Sequence, residues 1–339
     1  MFETSPYFVA EISGNHLGQL SVAKELVREA AEAGADAVKL QTYTADSMTL
    51  NLDSVQFQVS PDHSLWGGRK LYELYEEAHT PREWHGEIFT LAKELGMSAF
   101  STPFDEDSVG FLETLDVPAF KVASLEIVDH PLLERIGHTG KPVLLSTGTA
   151  SLAEIVEAVD VLRLAGSGKI TPLVCTSSYP ASPSDANLRR IKTLQLALGG
   201  DIGLSDHTLG IAVPIAAIAL GATVIEKHLT LDRGRGGPDS AFSLEPAEFR
   251  EMILAGRAAR SALGSGEFTG SASESESIRL RPSLWVTESV RKGDLVSPSN
   301  VASLRPSGGL HPKHFPAVVG RKFKEDLPLG AALSWQHLD

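Results

Sequence analysis

An alternation of strand-like and helix-like segments, repeated eight times, constrains this chain more than any other feature of its sequence. Between residues 7 and 263, eight short apolar runs are separated by amphipathic stretches. The apolar runs are YFVAEI, DAVKLQ, MSAFST, VPAFKVAS, PVLLSTG, TPLVCTS, DIGLSD and ATVIEKH. Eight β-then-α units in about 260 residues predict an α/β fold, a parallel (β/α)8 TIM barrel.

The helical stretches support this interpretation. SVAKELVREAAEAG, TPREWHGEIFTLAKELG and IAVPIAAIALG end at Gly34, Gly96 and Gly221, as helix C-termini often do. The second unit is unusual, because about forty residues separate its strand from its helix. This stretch carries Trp66, Tyr72 and Tyr75 among its charges, so it is predicted to form an ordered flap with short helical pieces.

The end of the chain has a different character. GSGEFTGSASESES is small, polar and acidic, which is typical of a linker. The residues beyond it are rich in turn signals and short apolar runs. The predicted domains are therefore a barrel at 1–263, a linker at 264–281 and a small, mostly β domain at 282–339.

Composition excludes several classes of function. The 339 residues carry a formal net charge of −13, which argues against nucleic acid or an anionic membrane surface as the main partner. An anionic small molecule remains possible, because a few inward lysines can create a local positive pocket. No signal-peptide pattern or membrane-spanning apolar run is present, so a cytoplasmic location is expected. The single cysteine, Cys175, excludes an intramolecular disulfide, and a buried thiol is favoured over a nucleophile.

The C-terminal ends of barrel strands form the active-site face of this fold, so residues at those positions form one chemical inventory. All eight predicted strand ends are polar. In chain order they carry Glu11, Asn15 and His16; Lys39 and Gln41; Ser101 and Thr102; Lys121, Ser124 and Glu126; Ser146 and Thr147; Ser177 and Tyr179; Ser205, Asp206 and His207; and Glu226, Lys227 and His228.

Lysines inside apolar strands are costly unless they meet an anion. Lys39 and Lys121 are therefore the best candidates for binding a phosphate or carboxylate. Lys227 is less certain, because strand alternation places it on the face opposite Glu226 and His228. A structural role is favoured for Asp206.

Two histidines end the seventh and eighth strands. His207 and His228 come from neighbouring strands, so their imidazoles can converge on one catalytic divalent metal ion. After the eighth strand, LDRGRGGPDSAFSLEP matches neither a P-loop nor a dinucleotide-binding fingerprint. A flexible loop whose carboxylate, Asp239, grips a substrate is the better interpretation.

Taken together, these segments resemble the sialic acid synthase family, whose members condense phosphoenolpyruvate with an N-acylated amino sugar. The resemblance covers nearly the whole chain, and the final domain is similar to the family's antifreeze-like (SAF, β-clip) domain. Three stretches most resemble the branch that makes pseudaminic acid, namely LWGGRKLYELYEEAHTPREWH, GGPDSAFSLEP and RPSGGLHPKHF. The branches that make N-acetylneuraminate or legionaminate are the alternative. The motifs are AEISGNH, GADAVKLQTY, STPFDE, FKVASLEI, GKPVLLSTG, CTSSYP, GLSDHTLG, VIEKHLTLD, GGPDSAFSLEP, LWGGRKLYELYEEAHTPREWH and RPSGGLHPKHF.

The resemblance implies a role for each matching residue. His207 and His228 would hold the metal, usually manganese, while Glu11 and Glu126 would be catalytic carboxylates. Arg305 would reach the sugar from the partner subunit of a domain-swapped homodimer. The residues implied to bind phosphoenolpyruvate are Lys39, Thr102, Lys121, Ser124, Ser146, Ser177 and Ser205, and those implied to contact the sugar are Gln41, Tyr179 and Asp239.

Two other functions fit parts of the inventory. A Schiff-base aldolase on the same barrel would use Lys121 or Lys227 as its amine nucleophile and would need no metal. A non-enzymatic sugar-binding protein would release no phosphate. The paired histidines argue against the aldolase, and the number of polar strand ends argues against the binding protein.

Overall fold

The computed structural model describes residues 6–63, 65–268 and 271–339. The first residues of the predicted barrel range, 1–5, and residues 269 and 270 of the predicted linker lie outside the described residues. The chain divides into two compact units, Met1–Gly264 and Ser265–Asp339.

The first unit is a closed parallel barrel, which confirms the predicted (β/α)8 fold. Eight strands pair in chain order, and the last pairs with the first. The strands are β1 (Tyr7–Glu11), β2 (Ala37–Thr42), β3 (Ser98–Pro103), β4 (Phe120–Val122), β5 (Val143–Ser146), β6 (Ile170–Cys175), β7 (Gly203–Asp206) and β8 (Val224–His228).

Helices follow the strands and cover the outside of the barrel. Gly34, Gly96 and Gly221 follow helices with φ of 93°, 81° and 100°, so the predicted glycine C-termini are confirmed. The helices of this unit are α1 (Leu20–Ala33), α2 (Ala45–Met48), α3 (Leu71–Ala78), α4 (Arg82–Glu94), α5 (Glu106–Thr114), α6 (His130–Gly137), α7 (Leu152–Leu164), α8 (Arg190–Leu198), α9 (Ala212–Ala219) and α10 (Pro246–Ala262).

Strand alternation explains how one barrel holds both an apolar core and a polar site. On β1, Tyr7 and Val9 belong to the apolar cluster inside the barrel, and Glu11 is the next residue on the same face. On β8, Val224 belongs to that cluster, and His228 lies four residues further on. The barrel interior is therefore apolar towards the start of these strands and polar at their C-terminal ends.

The long segment between β2 and α4, residues 43–80, is called the flap here. It contains α2, a 3-10 turn at Val55–Phe57 and α3, so the predicted ordered flap with short helical pieces is confirmed. The Thr44 side chain accepts a hydrogen bond from the backbone N–H of Ser47 and thereby caps α2. The indole Nε1 of Trp66 donates to the carbonyl oxygen of Pro238 at 2.9 Å, which ties the flap to the loop after β8.

The second unit has a hydrophobic core of its own, built around Leu284, Val301, Phe323 and Leu333. Its two strands pair antiparallel, with Val286 opposite Val301. The elements of this unit are α11 (Ser275–Arg279), β9 (Ser283–Val286), β10 (Val301–Leu304) and α12 (Phe315–Val318). Across the described parts of both units, no helix is long and apolar enough to cross a membrane.

Candidate active site

A small polar cavity of about 60 Å³ lies at the C-terminal ends of the strands and is called the inner pocket here. Every strand from β2 to β8 except β6 contributes a charged or hydroxyl side chain, and β6 contributes Cys175. The polar lining residues are Lys39, Gln41, Thr102, Lys121, Ser124, Ser146, Tyr179, Ser205, His207, Glu226 and His228.

Lys39 is held between two carboxylates. Its ammonium forms a close ion pair with Glu11, lies 3.8 Å from Glu226 Oε1, and donates to Thr102 Oγ1 at 3.0 Å. Burial alone would lower the pKa of Lys39, but the two carboxylates raise it above its ordinary value. The lysine therefore enters the inner pocket as a cation.

The pKa values of the two carboxyl groups, Glu11 and Glu226, are shifted in opposite directions. Burial raises the pKa of Glu11 to about 7, although the charge of Lys39 opposes the shift. For Glu226 the effect of burial is outweighed by Lys39 and Lys121, and its pKa is lowered. Two carboxylates around one ammonium titrate as a coupled set, so this cluster takes up a proton more readily than an ordinary glutamate does.

Lys121 also lines the inner pocket. Its Nζ donates to Ser146 Oγ at 2.7 Å and to the carbonyl oxygen of Val122 at 2.8 Å. Burial lowers the pKa of Lys121, although Glu226 opposes the shift. A bound anion would supply the close negative charge that this buried ammonium otherwise lacks.

Two imidazoles face each other across the ends of β7 and β8. The rings of His207 and His228 have centroids 5.3 Å apart, and the ring of Phe242 packs against both. His207 Nδ1 lies 3.1 Å from the carbonyl oxygen of Thr176, which can only accept a hydrogen bond. His207 therefore holds a proton on Nδ1, which leaves Nε2 as the nitrogen that would bind a metal. Burial alone would lower the pKa of His207, but the neighbouring Cys175 and the carbonyl of Thr176 raise it above its ordinary value.

The donor set suits a divalent metal ion with open coordination positions. Burial lowers the pKa of His228 well below its ordinary value, so the ring is neutral, as a metal ligand must be. Its buried Nδ1 has no hydrogen-bond partner among the described residues. Within the described parts of the chain, no group of three or more His, Cys, Asp and Glu side chains is arranged to hold a metal. The two imidazoles would thus need ligands from water or substrate to complete a coordination shell.

A second cavity of about 600 Å³, called the outer pocket here, adjoins the inner one and shares Gln41, Ser124, Tyr179 and His228 with it. The flap supplies much of its apolar wall. Those flap residues are Tyr43, Met48, Val59, Trp66, Leu71, Leu74, Tyr75 and Ala78. The polar side of the outer pocket carries Ser13, Glu126, Ser177 and Asp239. The cavity therefore presents an apolar face and a polar face to one ligand.

Glu126 and Asp239 are the carboxylates of the outer pocket. Glu126 lies on the 3-10 turn Leu125–Val128 after β4, and burial raises its pKa. Burial also raises the pKa of Asp239, while hydrogen bonds from Ser13 and Gly14 oppose the shift. Because Glu126 lines the cavity and takes up protons more readily than an ordinary glutamate, it can exchange a proton with a bound ligand.

Thirteen of the fifteen predicted site residues line the two pockets. The exceptions are Glu11, which is fully buried against Lys39, and Arg305, which is exposed on the C-terminal unit. The predicted action of Arg305 from a partner subunit stays a prediction. The functional role of each lining residue is likewise still a proposal.

The residues left open by the sequence have structural explanations. Lys227 is fully buried and forms an ion pair with Asp206, so it faces away from Glu226 and His228 as strand alternation predicts. Asp206 also accepts hydrogen bonds from the backbone N–H and the hydroxyl of Thr208. Cys175 is buried, with its sulfur 3.9 Å from His207 Nδ1.

Sequence reasoning left two components of the site unassigned. Glu226 contacts Lys39 and Ser205, and its position two residues before His228 on β8 was the available signal. Phe242 packs on both imidazoles from the loop after β8. No spacing rule points to this aromatic residue, because its loop returns to the site by an irregular path.

Comparison with known proteins identifies the family. The NeuB family model matches residues 26–268, and the SAF domain model matches residues 281–339. A pseudaminic acid synthase of Campylobacter jejuni is 42% identical over 327 residues, covering 96% of this chain and 95% of the relative. A pseudaminic acid synthase of Helicobacter pylori is 42% identical over 330 residues, covering 97% of this chain and 96% of the relative.

A solved structure agrees with these matches. The crystal structure of an N-acetylneuraminic acid (sialic acid) synthetase from Leptospira borgpetersenii in complex with citrate is 33% identical, with a TM-score of 0.72. The match covers 81% of this chain and 90% of the Leptospira chain. The resemblance to the sialic acid synthases is therefore confirmed, and this chain belongs to the NeuB family, with a SAF domain at its C-terminus.

Proposed function

We propose that this protein condenses phosphoenolpyruvate with 2,4-diacetamido-2,4,6-trideoxy-β-L-altropyranose and water, forming pseudaminic acid and phosphate. The family and the names of the similar proteins support this chemistry. The observation that carries the proposal is an inner pocket lined by two buried lysines, which adjoins a larger, partly apolar outer pocket. One pocket suits a small anion and the other suits an N-acylated sugar.

Phosphoenolpyruvate would occupy the inner pocket. Lys39 and Lys121 would balance its phosphate and carboxylate charges, because both ammonium groups are buried and face this cavity. Hydroxyl groups around the two lysines would donate the remaining hydrogen bonds. These groups belong to Thr102, Ser124, Ser146, Ser177 and Ser205.

The sugar would occupy the outer pocket. Two acetamido methyl groups and the methyl at C6 give this sugar an apolar side, which suits the wall that the flap supplies. Gln41, Tyr179 and Asp239 would bind its hydroxyl and amide groups. A sugar with a hydroxyl at C6 would bring a polar group against that wall, and burial there without a partner is unfavourable.

His207 and His228 would hold a divalent ion, which we take to be manganese, at the boundary between the pockets. Their free nitrogen positions, the neutral ring of His228 and the separation of the two rings fit this role. When bound, the ion supplies Lewis acidity that polarises the aldehyde oxygen of the open-chain sugar.

The protein's own residues position the reacting groups. The enol carbon of phosphoenolpyruvate attacks the sugar's aldehyde carbon, and positive character develops at the phosphate-bearing carbon. Water adds to that carbon and gives up one proton, while the former aldehyde oxygen takes up one and becomes a hydroxyl. The resulting tetrahedral species releases phosphate by cleavage of its carbon–oxygen bond, its remaining hydroxyl proton goes to the departing phosphate, and a keto group is left. Lys39 and Lys121 hold the anionic groups in place throughout, which supplies orientation and charge stabilisation.

A carboxylate must take the proton of the attacking water. Glu126 is the better candidate by position, because it lines the outer pocket. Glu11 contacts Lys39, and burial raises its pKa to about 7. It would therefore hold or release a proton next to Lys39 and would not touch the water itself. Arg305 would complete the sugar site from the partner subunit of a domain-swapped homodimer.

The test is phosphate release from phosphoenolpyruvate in the presence of manganese. The three sugars to compare are the altrose derivative, N-acetylmannosamine and the legionaminate precursor, each with and without EDTA. Release with the altrose derivative alone, abolished by EDTA, is the expected result. Release with another sugar would replace the proposed substrate while keeping the chemistry. EDTA-resistant turnover that borohydride traps would favour a Schiff-base aldolase instead.

A further inference from the structure

We propose that Ser13 is a positioning residue, which orients the carboxylate of Asp239 towards the sugar. This inference rests on the proposed function, because Asp239 is taken as a sugar-binding group. Ser13 and Asp239 both line the outer pocket, and Ser13 is only 2% exposed.

The contacts at Asp239 leave one oxygen for a ligand. The hydroxyl of Ser13 donates a close hydrogen bond to Asp239 Oδ2, and the backbone N–H of Gly14 donates to the same oxygen at 3.2 Å. Among the described residues, these are the hydrogen bonds that the Asp239 side chain accepts. Both go to Oδ2, so Oδ1 remains available for a hydroxyl or amide N–H of the sugar.

The backbone of Ser13 is strained for a residue with a side chain. Its φ is 50°, in the left-handed region that favours glycine. A glycine would adopt this conformation with less strain but would have no hydroxyl to offer Asp239. Strain of this kind persists where surrounding contacts hold it in place, and it concentrates at functional sites. The hydroxyl is the one group that a serine adds here, and its partner is a carboxylate of the pocket.

The neighbouring turn and loop fit together closely. A Cβ added to Gly14 would lie 2.6 Å from Pro238 Cγ, so a side chain at residue 14 would push the Asp239 loop away. Asn15 Nδ2 donates to Ser243 Oγ at 2.9 Å, and Ser243 Oγ donates to the backbone oxygen of Asp239 at 2.7 Å. The turn after β1 therefore holds the Asp239 backbone through Asn15 and Ser243. It holds the Asp239 carboxylate through the backbone N–H of Gly14 and through the one side-chain donor, the hydroxyl of Ser13.

Two sets of contacts would therefore have different roles at the sugar site. The backbone contacts place the Asp239 loop, whereas the Ser13 hydroxyl fixes the rotation of the carboxylate. Without that hydroxyl the loop would stay in place, but Asp239 would have to be ordered by the sugar when it binds. The loss would fall on sugar binding and spare the inner pocket.

The test compares Ser13→Gly and Ser13→Ala with the wild-type protein. In both variants we expect the KM for the altrose sugar to rise about 10-fold, as for the loss of a hydrogen bond to a charged group. The KM for phosphoenolpyruvate should change less than about 2-fold. Ser13→Gly should have a higher melting temperature than Ser13→Ala, because both variants lose the hydroxyl but glycine adopts the left-handed backbone conformation with less strain.

A matched control removes a hydroxyl from the same loop without touching the carboxylate. Ser240 Oγ donates to the carbonyl oxygen of Gly237 at 3.2 Å, so Ser240→Ala should leave the sugar KM unchanged. An unchanged sugar KM in both Ser13 variants would overturn the inference alone. A parallel rise of both KM values together with a lower melting temperature would also overturn it, as the mark of a purely structural residue. If the wild-type protein releases no phosphate with any sugar, the proposed function and this inference fail together.

Discussion

Three lysines on the barrel strands show that the role of a side chain depends on which face of its strand it lies on. Lys39 and Lys121 point into the inner pocket, whereas Lys227 is buried on the opposite face against Asp206. All three are nearly inaccessible to solvent, so burial alone does not distinguish them. Their surroundings do: the first two line a cavity, whereas the third pairs with Asp206 and donates to the carbonyl oxygen of Thr208.

Replacing these lysines by methionine should separate binding from stability. Lys121→Met should raise the KM for phosphoenolpyruvate about 100-fold, because the variant loses a charge-assisted contact to the anion. Lys227→Met leaves Asp206 as an unpaired buried charge, so it should lower the free energy of unfolding by about 3 kcal/mol. Steady-state kinetics and urea denaturation measure the two effects. A Lys121→Met enzyme with normal phosphoenolpyruvate KM would contradict the assignment of the inner pocket.

Two buried histidines of the barrel unit, His16 and His85, should make the protein sensitive to acid. Burial lowers the pKa of His16 and of His85 to about 4. The unfolded chain takes up a proton at each histidine near pH 6.5, before the folded protein does. Their contribution to stability is therefore complete above pH 6.5 and is lost as the pH falls towards 4. For each histidine the loss is about 3 kcal/mol.

Urea denaturation at pH 7.5, 5.5 and 4.5 measures this dependence. His85 accepts or donates a hydrogen bond with Thr42 Oγ1 at 2.8 Å, and glutamine can replace that bond without titrating. His85→Gln should consequently lose less stability than the wild type between pH 6.5 and 4. Equal slopes for the two proteins would show that His85 does not contribute to acid sensitivity.

At the scale of elements, the flap is the part of the barrel unit that distinguishes the outer pocket from an open barrel mouth. Its anchor is Trp66, which donates to Pro238 and stacks on His63 with ring centroids 4.8 Å apart. The same indole lies 5.7 Å from the ring of Tyr179. One side chain thus links the flap, the loop after β8 and the wall of the outer pocket.

Trp66→Ala should loosen the flap and weaken sugar binding. We expect the sugar KM to rise about 10-fold, while the phosphoenolpyruvate KM stays within about 2-fold, because the inner pocket has no flap residue in its polar lining. Limited proteolysis should cleave within residues 43–80 faster in the variant. Trp66→Phe keeps the stacking surface but removes the indole donor, so its effect should be intermediate. Unchanged cleavage and kinetics in Trp66→Ala would exclude the anchor role.

The sequence predicted the strands and the inner pocket well, because both follow from periodicity. Apolar alternation marks β1 and β8, and the polar residue at the end of each alternating face must enter the barrel. The outer pocket was less accessible to such reasoning. Ser13 reaches Asp239 across 226 residues of sequence, and its left-handed backbone follows no local pattern. Contacts of this kind depend on how irregular loops return to the barrel mouth.

At the scale of the whole molecule, the two compact units raise the question of which barrel Arg305 serves. Arg305 lies in the C-terminal unit, beside a groove formed by Trp285, Leu304 and Leu329. The exposed leucines of this groove suit burial against another protein surface. The proposed domain-swapped homodimer would bring Arg305 of one subunit to the outer pocket of the other.

Subunit mixing tests this arrangement directly. Arg305→Ala should reduce turnover with the sugar about 10-fold or more, and Lys121→Met should be nearly inactive. Light scattering should show that each variant alone is a homodimer, with twice the 36.2 kDa mass of the chain. When the two variants are unfolded together and refolded, half of the dimers are mixed. If Arg305 acts across the dimer, each mixed dimer has one complete site, because an intact barrel meets the arginine of the other subunit. About a quarter of wild-type activity should then return. If Arg305 serves its own barrel, mixing creates no complete site, and activity should stay at the average of the two homodimers.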